Sequence, residues 1–246
     1  MVGKALRCTV SPLVPESWKR QVKSTLFDVP DTETSLRRMR KLGFAPRTVI
    51  DVGAYVGDWT RTCKQIFPEA RVLMVEPQSS RIPLLQSTSD GFEGVEFRPV
   101  LLGARQEASV PFYEAETASS VLSEADKQSA PTACLSMTTL DEVTSGTRFA
   151  APDFIKLDVQ GYELEVLKGG ERTLQSAEAV LMEVNFLEIY DKAPLLHEAA
   201  EYMGQRQFQV YDICSLFRRP FDKALWQADV IFVRRSSRLV ASTRWS

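Results

Sequence analysis

Thr48-Val49-Ile50-Asp51-Val52-Gly53-Ala54-Tyr55-Val56-Gly57-Asp58-Trp59 reads as an apolar strand that enters a glycine turn and then a helix. Glycine at 53 and 57 supplies positive φ and lets the backbone pass close to a ligand, while the helix start adds unpaired amide donors. Trp59, Cys63, Ile66 and Phe67 fall on one face of a helix over Asp58–Phe67, with Asp58 placed to cap it and Pro68 to stop it. At the end of the next strand-like run stands Glu76, 23 residues after Gly53 and followed by Pro77. An acid there can accept hydrogen bonds from both hydroxyls of an adenosine ribose. Asp51, Gly53, Ala54, Tyr55, Gly57, Glu76 and Pro77 therefore form the candidate nucleoside site.

Outward from this unit, strand-like runs recur at Thr48–Val52, Arg71–Glu76, Val95–Leu102, Phe154–Val159, Ala179–Val184, Phe208–Ile213 and Asp229–Val233. Helical patterns lie between most of them, at Asp58–Phe67, Arg81–Ser87, Tyr162–Leu174 and Pro194–Gln205. Alternation of this kind predicts an α/β protein with a mostly parallel sheet and helices on both faces. The last two runs have no helix between them and suit antiparallel pairing at the sheet edge. Seven strands with the last reversed is the methyltransferase variant of the Rossmann-like, doubly wound sheet. The Ala/Ser/Thr-rich stretch Glu114–Thr139 reads as a long connection or flap. Two helices, Glu16–Phe27 and Thr32–Leu42, precede the core, so residues 1–45 read as a helical extension, a lid or packing element, and 46–246 as the Rossmann-like domain. A dinucleotide would want G-x-G-x-x-G to seat a pyrophosphate, and Tyr55 stands where the middle glycine belongs. S-adenosylmethionine has no phosphate and tolerates the looser loop.

A second stretch, Phe154-Ile155-Lys156-Leu157-Asp158-Val159-Gln160-Gly161-Tyr162-Glu163-Leu164-Glu165-Val166-Leu167-Lys168-Gly169-Gly170, resembles the FkbM-type methyltransferases. Asp51-Val52-Gly53-Ala54, Glu76-Pro77, Thr139-Leu140-Asp141 and Met182-Glu183 extend the likeness over about Arg47–Arg235. The family commonly has asparagine where Tyr55 stands and glutamate where Gln160 stands; an amide keeps hydrogen bonding but loses the charge and the base. The resemblance implies S-adenosylmethionine binding by Asp51, Gly53 and Glu76, and methyl transfer mostly to oxygen of sugars, polyketides or other small metabolites.

Methylation of an alcohol needs a base within hydrogen-bond reach. Asp158, at the carboxyl end of its strand where ligands of this fold sit, is the first candidate, for catalysis and for cofactor contact. Lys156 points to the same face and either tunes that carboxylate or snorkels to solvent. Glu183 is the second carboxylate; it can also join Asp158 in holding a divalent cation, although no tight metal motif is present. His197, the lone histidine, is the conventional base at neutral pH, but its periodicity favours a helix surface. Ser119, Ser120, Gln160, Tyr162 and Tyr190 are candidate acceptor contacts.

With 30 basic and 32 acidic residues the formal charge is −2, and no basic block suggests nucleic acid. No apolar run reaches the ~20 residues of a membrane span. Cys8, Cys63, Cys134 and Cys214 lack paired ligand spacing and read as free thiols of a reducing cytoplasm. The expected partner is a small-molecule or glycan acceptor, with a homo-oligomer left open. A cofactor-binding scaffold without turnover and an NAD-binding oxidoreductase remain the competing readings.

Overall fold

The computed structural model describes residues 30–114, 119–123 and 130–245. The expected helix at Glu16–Phe27 lies outside them. In chain order the elements are α1 (Thr32–Lys41), β1 (Thr48–Val52), α2 (Asp58–Ile66), β2 (Arg71–Val75), α3 (Ile82–Gly91), β3 (Val95–Arg98), β4 (Leu101–Leu102), β5 (Glu107–Phe112), β6 (Ala133–Thr138), α4 (Leu140–Thr144), β7 (Phe154–Leu157), α5 (Glu163–Lys168), α6 (Glu171–Ser176), β8 (Ala179–Asn185), α7 (Leu196–Gln205), β9 (Phe208–Ile213), β10 (Phe217–Arg218) and β11 (Leu225–Arg234).

The main sheet runs β3-β2-β1-β7-β8-β11, and β11 also pairs with β9 and β10. Pairings from β3 to β8 are parallel, and every pairing of β11 is antiparallel. This is the Rossmann-like α/β arrangement the sequence predicts. The chain leaves β1 toward β2 and later returns to its other side as β7. The strand order therefore reverses between β1 and β7, opening a crevice at their carboxyl ends. β1 is buried at all five positions because neighbours flank it and helices cover both faces. Ile50 and Val52 pack with Ile155, Leu167 and Met182 on one face. Val49 packs with Leu36, Cys63, Ile66 and Phe154 on the other.

Four local expectations are corrected. The run Val95–Leu102 is two strands, because after Arg98 the chain leaves the main sheet and β4 joins a second sheet, ordered β4-β6-β5. The stretch Glu114–Thr139 is accordingly not all connection: β6 lies in it, with alternating half-exposed positions that its Ala/Ser/Thr composition hides. The helix expected over Tyr162–Leu174 is broken at Gly169-Gly170. A Cβ at Gly169 would sit 2.0 Å from the Gly103 carbonyl oxygen, so the second sheet packs against the break. The reversed strand also lies between β8 and β9, leaving β9 at the edge. Val230, Ile231, Phe232 and Val233 are all buried, whereas β9 is exposed at three of its six positions.

Candidate active site

The turn after β1 is shaped first by its protein neighbours. Gly53 has φ +73°, and a Cβ there would lie 1.8 Å from the Asp158 carbonyl oxygen; at Gly57, with φ +83°, it would lie 2.7 Å from Thr88 Oγ1. Both glycines are therefore demanded by the close approach of β7's exit and α3, a constraint that precedes any ligand. Gly57, not Asp58, is the N-cap of α2, and no side-chain cap bond is made there. That end keeps amide donors available for an anionic group.

Glu76 follows β2 and is 3% exposed. Its Oε2 accepts from Tyr55 N at 2.9 Å and its Oε1 from Gln78 N at 3.0 Å, tying the two turns together. Burial raises its pKa, while the Gln78 and Tyr55 amides pull the other way. A carboxylate has about four acceptor positions. The Tyr55 and Gln78 amides and the Gln78 side chain take three of them, which leaves room for about one further donor, such as a ribose hydroxyl. Glu76→Ala is expected to weaken S-adenosylmethionine binding about 10–100-fold, the scale of one or two charge-assisted hydrogen bonds, as read by titration calorimetry.

A cavity of about 200 Å³ lies over these turns, lined by Gly53, Ala54, Tyr55, Glu76, Pro77 and, from the other side of the crevice, Asp158. Ser119, Ser120, Gln160 and Tyr162 also line it, with an apolar wall from Val75, Val100, Leu101, Leu102, Phe112 and Val121. Its charged lining residues are Asp58, Glu76, Asp158 and Lys156. Lys156 is already committed: its Nζ donates to Gly53 O at 2.8 Å and lies 3.1 Å from Asp51 Oδ1 and 3.7 Å from Asp158 Oδ2. Desolvation alone would lower the Lys156 pKa, but the Asp51 and Asp158 carboxylates outweigh it and raise it above its ordinary value. Asp58 is paired too, with Arg61 Nη1 at 2.6 Å, so the carboxylates that face the cavity are chiefly Glu76 and Asp158, which favour a cation. A sulfonium with an ammonium group fits this donor set; a pyrophosphate would meet carboxylates.

Several predicted residues stand back from the cavity. Asp51 is fully buried beneath the turn, where it accepts from Thr60 Oγ1 at 2.6 Å and pairs with Lys156, so it does not line the cavity. Glu183 lies behind Gln160, whose Nε2 donates to it at 3.1 Å. Its pKa is raised well above the carboxylate range by burial first, then by Asp158, Glu163 and Asp229. Tyr190 is buried and donates to Gln160 Oε1 at 2.7 Å. His197 is exposed on the first turn of α7, outside the cavity lining. Among the described residues, no group of three or more His, Cys, Asp or Glu side chains could hold a metal ion. Cys63, Cys134 and Cys214 are unpaired.

Sequence reasoning missed two contributors. Gln78 lines the cavity and gives its amide to Glu76; its place two residues after the acid was the available signal. Glu163, 2% exposed, accepts from Val159 N at 2.9 Å and Gly161 N at 3.3 Å, clasping the turn that carries Asp158 and Gln160. Burial pushes its carboxyl up to about 7, opposed by those backbone bonds and helped by the charge of Asp158. A carboxyl whose folded pKa is raised gives stability that is full below its unfolded value and is lost as pH rises through the folded one. The wild-type protein should therefore lose stability from about pH 4.5 through 7, and Glu163→Gln should be more stable than wild type at pH 8 by about 1–3 kcal/mol, measured by urea denaturation across pH.

A second cavity, of about 640 Å³, shares Asp58 and Trp59 with the first and is bounded by α1 through Thr32, Leu36 and Arg37 and by Phe217 and Asp229. No helix among the described residues is long and apolar enough to cross a membrane.

A family model described as the methyltransferase FkbM domain matches residues 51–210. The chain is similar to the hexuronic acid methyltransferase AglP of Haloferax volcanii, with 26% identity over 199 residues, 80% of this chain and 78% of that one. Among solved structures, precorrin-6y C5,15-methyltransferase from Geobacter metallireducens aligns over 83% of this chain and 87% of its own, with a TM-score of 0.48 and 12% identity. The 1,6-didemethyltoxoflavin-N1-methyltransferase of Burkholderia thailandensis, solved with S-adenosylhomocysteine, aligns over 92% and 93%, with a TM-score of 0.43 and 13% identity.

Proposed function

The chain belongs to the FkbM methyltransferase family, and from that premise we propose that it methylates a hydroxyl oxygen of a small acceptor, a sugar or glycan foremost, using S-adenosylmethionine. The observation that carries the reading is the charge of the cavity: Glu76 and Asp158 line it, while Lys156 is spent on Asp51 and the Gly53 carbonyl and Asp58 is paired with Arg61. Support for a sugar comes from the relative that acts on a hexuronic acid.

When bound, the cofactor supplies a methyl group activated on a sulfonium and displaced in line. What the chain contributes is alignment, shelter from water and a place for the proton. Glu76 grips the ribose, and the turn Gly53–Gly57 with the free end of α2 holds the amino-acid part. Asp158, its side chain 43% exposed in the cavity, takes the proton that the acceptor hydroxyl loses as its oxygen attacks. α1 and the cavity beside Trp59 set acceptor choice, and the acceptor this reading calls for is a small molecule or glycan rather than a nucleic acid. A reducing cytoplasm is the compartment this reading calls for.

Calorimetry with S-adenosylmethionine and its demethylated product, followed by mass spectrometry of hydroxylated acceptors that gain one methyl group, tests the proposal. Binding of neither compound overturns it, and NADH binding in their place would make the protein a dehydrogenase. Cofactor binding without a methylated product across the panel would make it a scaffold.

A further inference from the structure

Gln160 is fixed from several directions at once. Its backbone has φ +56°, in the left-handed region that costs a side-chain-bearing residue energy, and its carbonyl accepts from the buried Ser120 Oγ at 2.9 Å. Its amide nitrogen donates to Asp158 Oδ1 at 2.8 Å and to Glu183 Oε1 at 3.1 Å, while its amide oxygen accepts from the Tyr190 hydroxyl at 2.7 Å. The amide is thereby used in full: two N–H groups, two carboxyls, and an oxygen backed by a phenol. A flipped amide would set its oxygen against both carboxyls.

We propose that Gln160 is a positioning residue for the reaction, aiming the Asp158 carboxylate into the cavity by bridging it to Glu183 behind. The inference rests on the reading of Asp158 as the proton acceptor. The groups around the bridge explain why an amide serves. Glu183 on β8 faces Asp158 beyond β7, Glu163 on α5 and Asp229 on β11, with Lys156 on β7 as the attracting cation. Gln227 on β11 also donates to Glu183 Oε1, at 2.7 Å. Burial and these acids raise the proton affinity of Glu183, and Asp158 is the member of the bridged pair that reaches the cavity. An amide joins the two without a third acid; a carboxylate at the same place would repel both and be able to donate only when protonated.

The test is Gln160→Glu in the full chain, with carboxyl-carbon NMR of labelled aspartate and glutamate as the readout, since it needs no acceptor. The Asp158 signal is identified by its loss in Asp158→Asn. In Gln160→Glu its titration midpoint should rise by about one pH unit or more, because an added negative charge favours the protonated form. Methyl transfer should fall about tenfold at pH values below the original midpoint and recover above the shifted one, with S-adenosylmethionine affinity kept within a few-fold. Gln160→Met, which removes both N–H donors without adding charge, should lower kcat and leave the cofactor KM unchanged. It also serves if the glutamate variant does not fold. A midpoint unmoved in Gln160→Glu, or a kcat unmoved in Gln160→Met, overturns the bridge. A moved midpoint beside a fully active Asp158→Asn instead overturns the base reading and leaves the bridge standing.

Discussion

Asp158→Asn should slow methyl transfer about 10²–10⁴-fold, the range that a positioned general base contributes, while S-adenosylmethionine affinity changes only a few-fold. The substitution is nearly isosteric, and an asparagine oxygen can still accept from Gln160 Nε2, which now reaches Asp158 Oδ1 at 2.8 Å. What is lost is the capacity to take a proton. The ion pair with Lys156 at 3.7 Å is long, and Lys156 keeps its closer partner Asp51, so the fold should be disturbed little. Single-turnover kinetics with saturating cofactor, beside calorimetry, separate the two effects. His197→Ala is the matched control and should turn over at the wild-type rate, because that histidine is exposed and outside the cavity lining. Equal turnover in the asparagine variant would remove Asp158 as the proton acceptor.

Lys156→Met should destabilise the protein by about 3–5 kcal/mol, the cost of leaving a buried charge without its partner. Asp51 is fully buried, and without Lys156 it keeps the Thr60 hydroxyl bond but no cation. The carbonyls of Val52 and Gly53, which accept from Lys156 Nζ at 3.3 and 2.8 Å, lose that donor too. For a chain of this length such a loss corresponds to roughly 6–20 °C in Tm. The pH dependence has a definite sign. A lysine whose folded pKa is raised gives stability that is complete below its unfolded value, ~10.4, and is lost only as pH passes the folded one. The deficit of the variant should therefore be constant from pH 6 to 9. Adding Asp51→Asn should recover part of it, since the remaining buried charge is then gone. A Tm within 2 °C of wild type in Lys156→Met would show that the pair does not hold the turn, an outcome far outside the ~6–20 °C expected.

Among the acidic positions, the sequence legibly marks Glu76 and obscures Asp51. Glu76 is found by counting from a turn, and its place after β2 follows from strand length, a local property. Asp51 looks like a ligand contact for the same reason, since it precedes the glycine turn. Its real partner is 105 residues away: Asp51 and Lys156 are register partners on adjacent parallel strands, so their side chains share a face and meet at 3.1 Å. Neither residue carries a signal of the other. Glu183 shows the same effect, standing opposite Asp229 across the β8–β11 pairing and acquiring its raised proton affinity from burial first and then from neighbours that no spacing rule connects.

The chain by itself determined the alternation of strands and helices, the parallel core, the two turns and the family, because hydrophobic period and turn chemistry are written in neighbouring residues. Only the tertiary structure decided that β6 belongs to a second sheet, that the reversed strand lies inside the edge, and that Gln160 joins two carboxyls under a tyrosine. These depend on strand register and on burial, which convert ordinary acids and amides into partners of one another, and both arise when distant segments pack and water leaves.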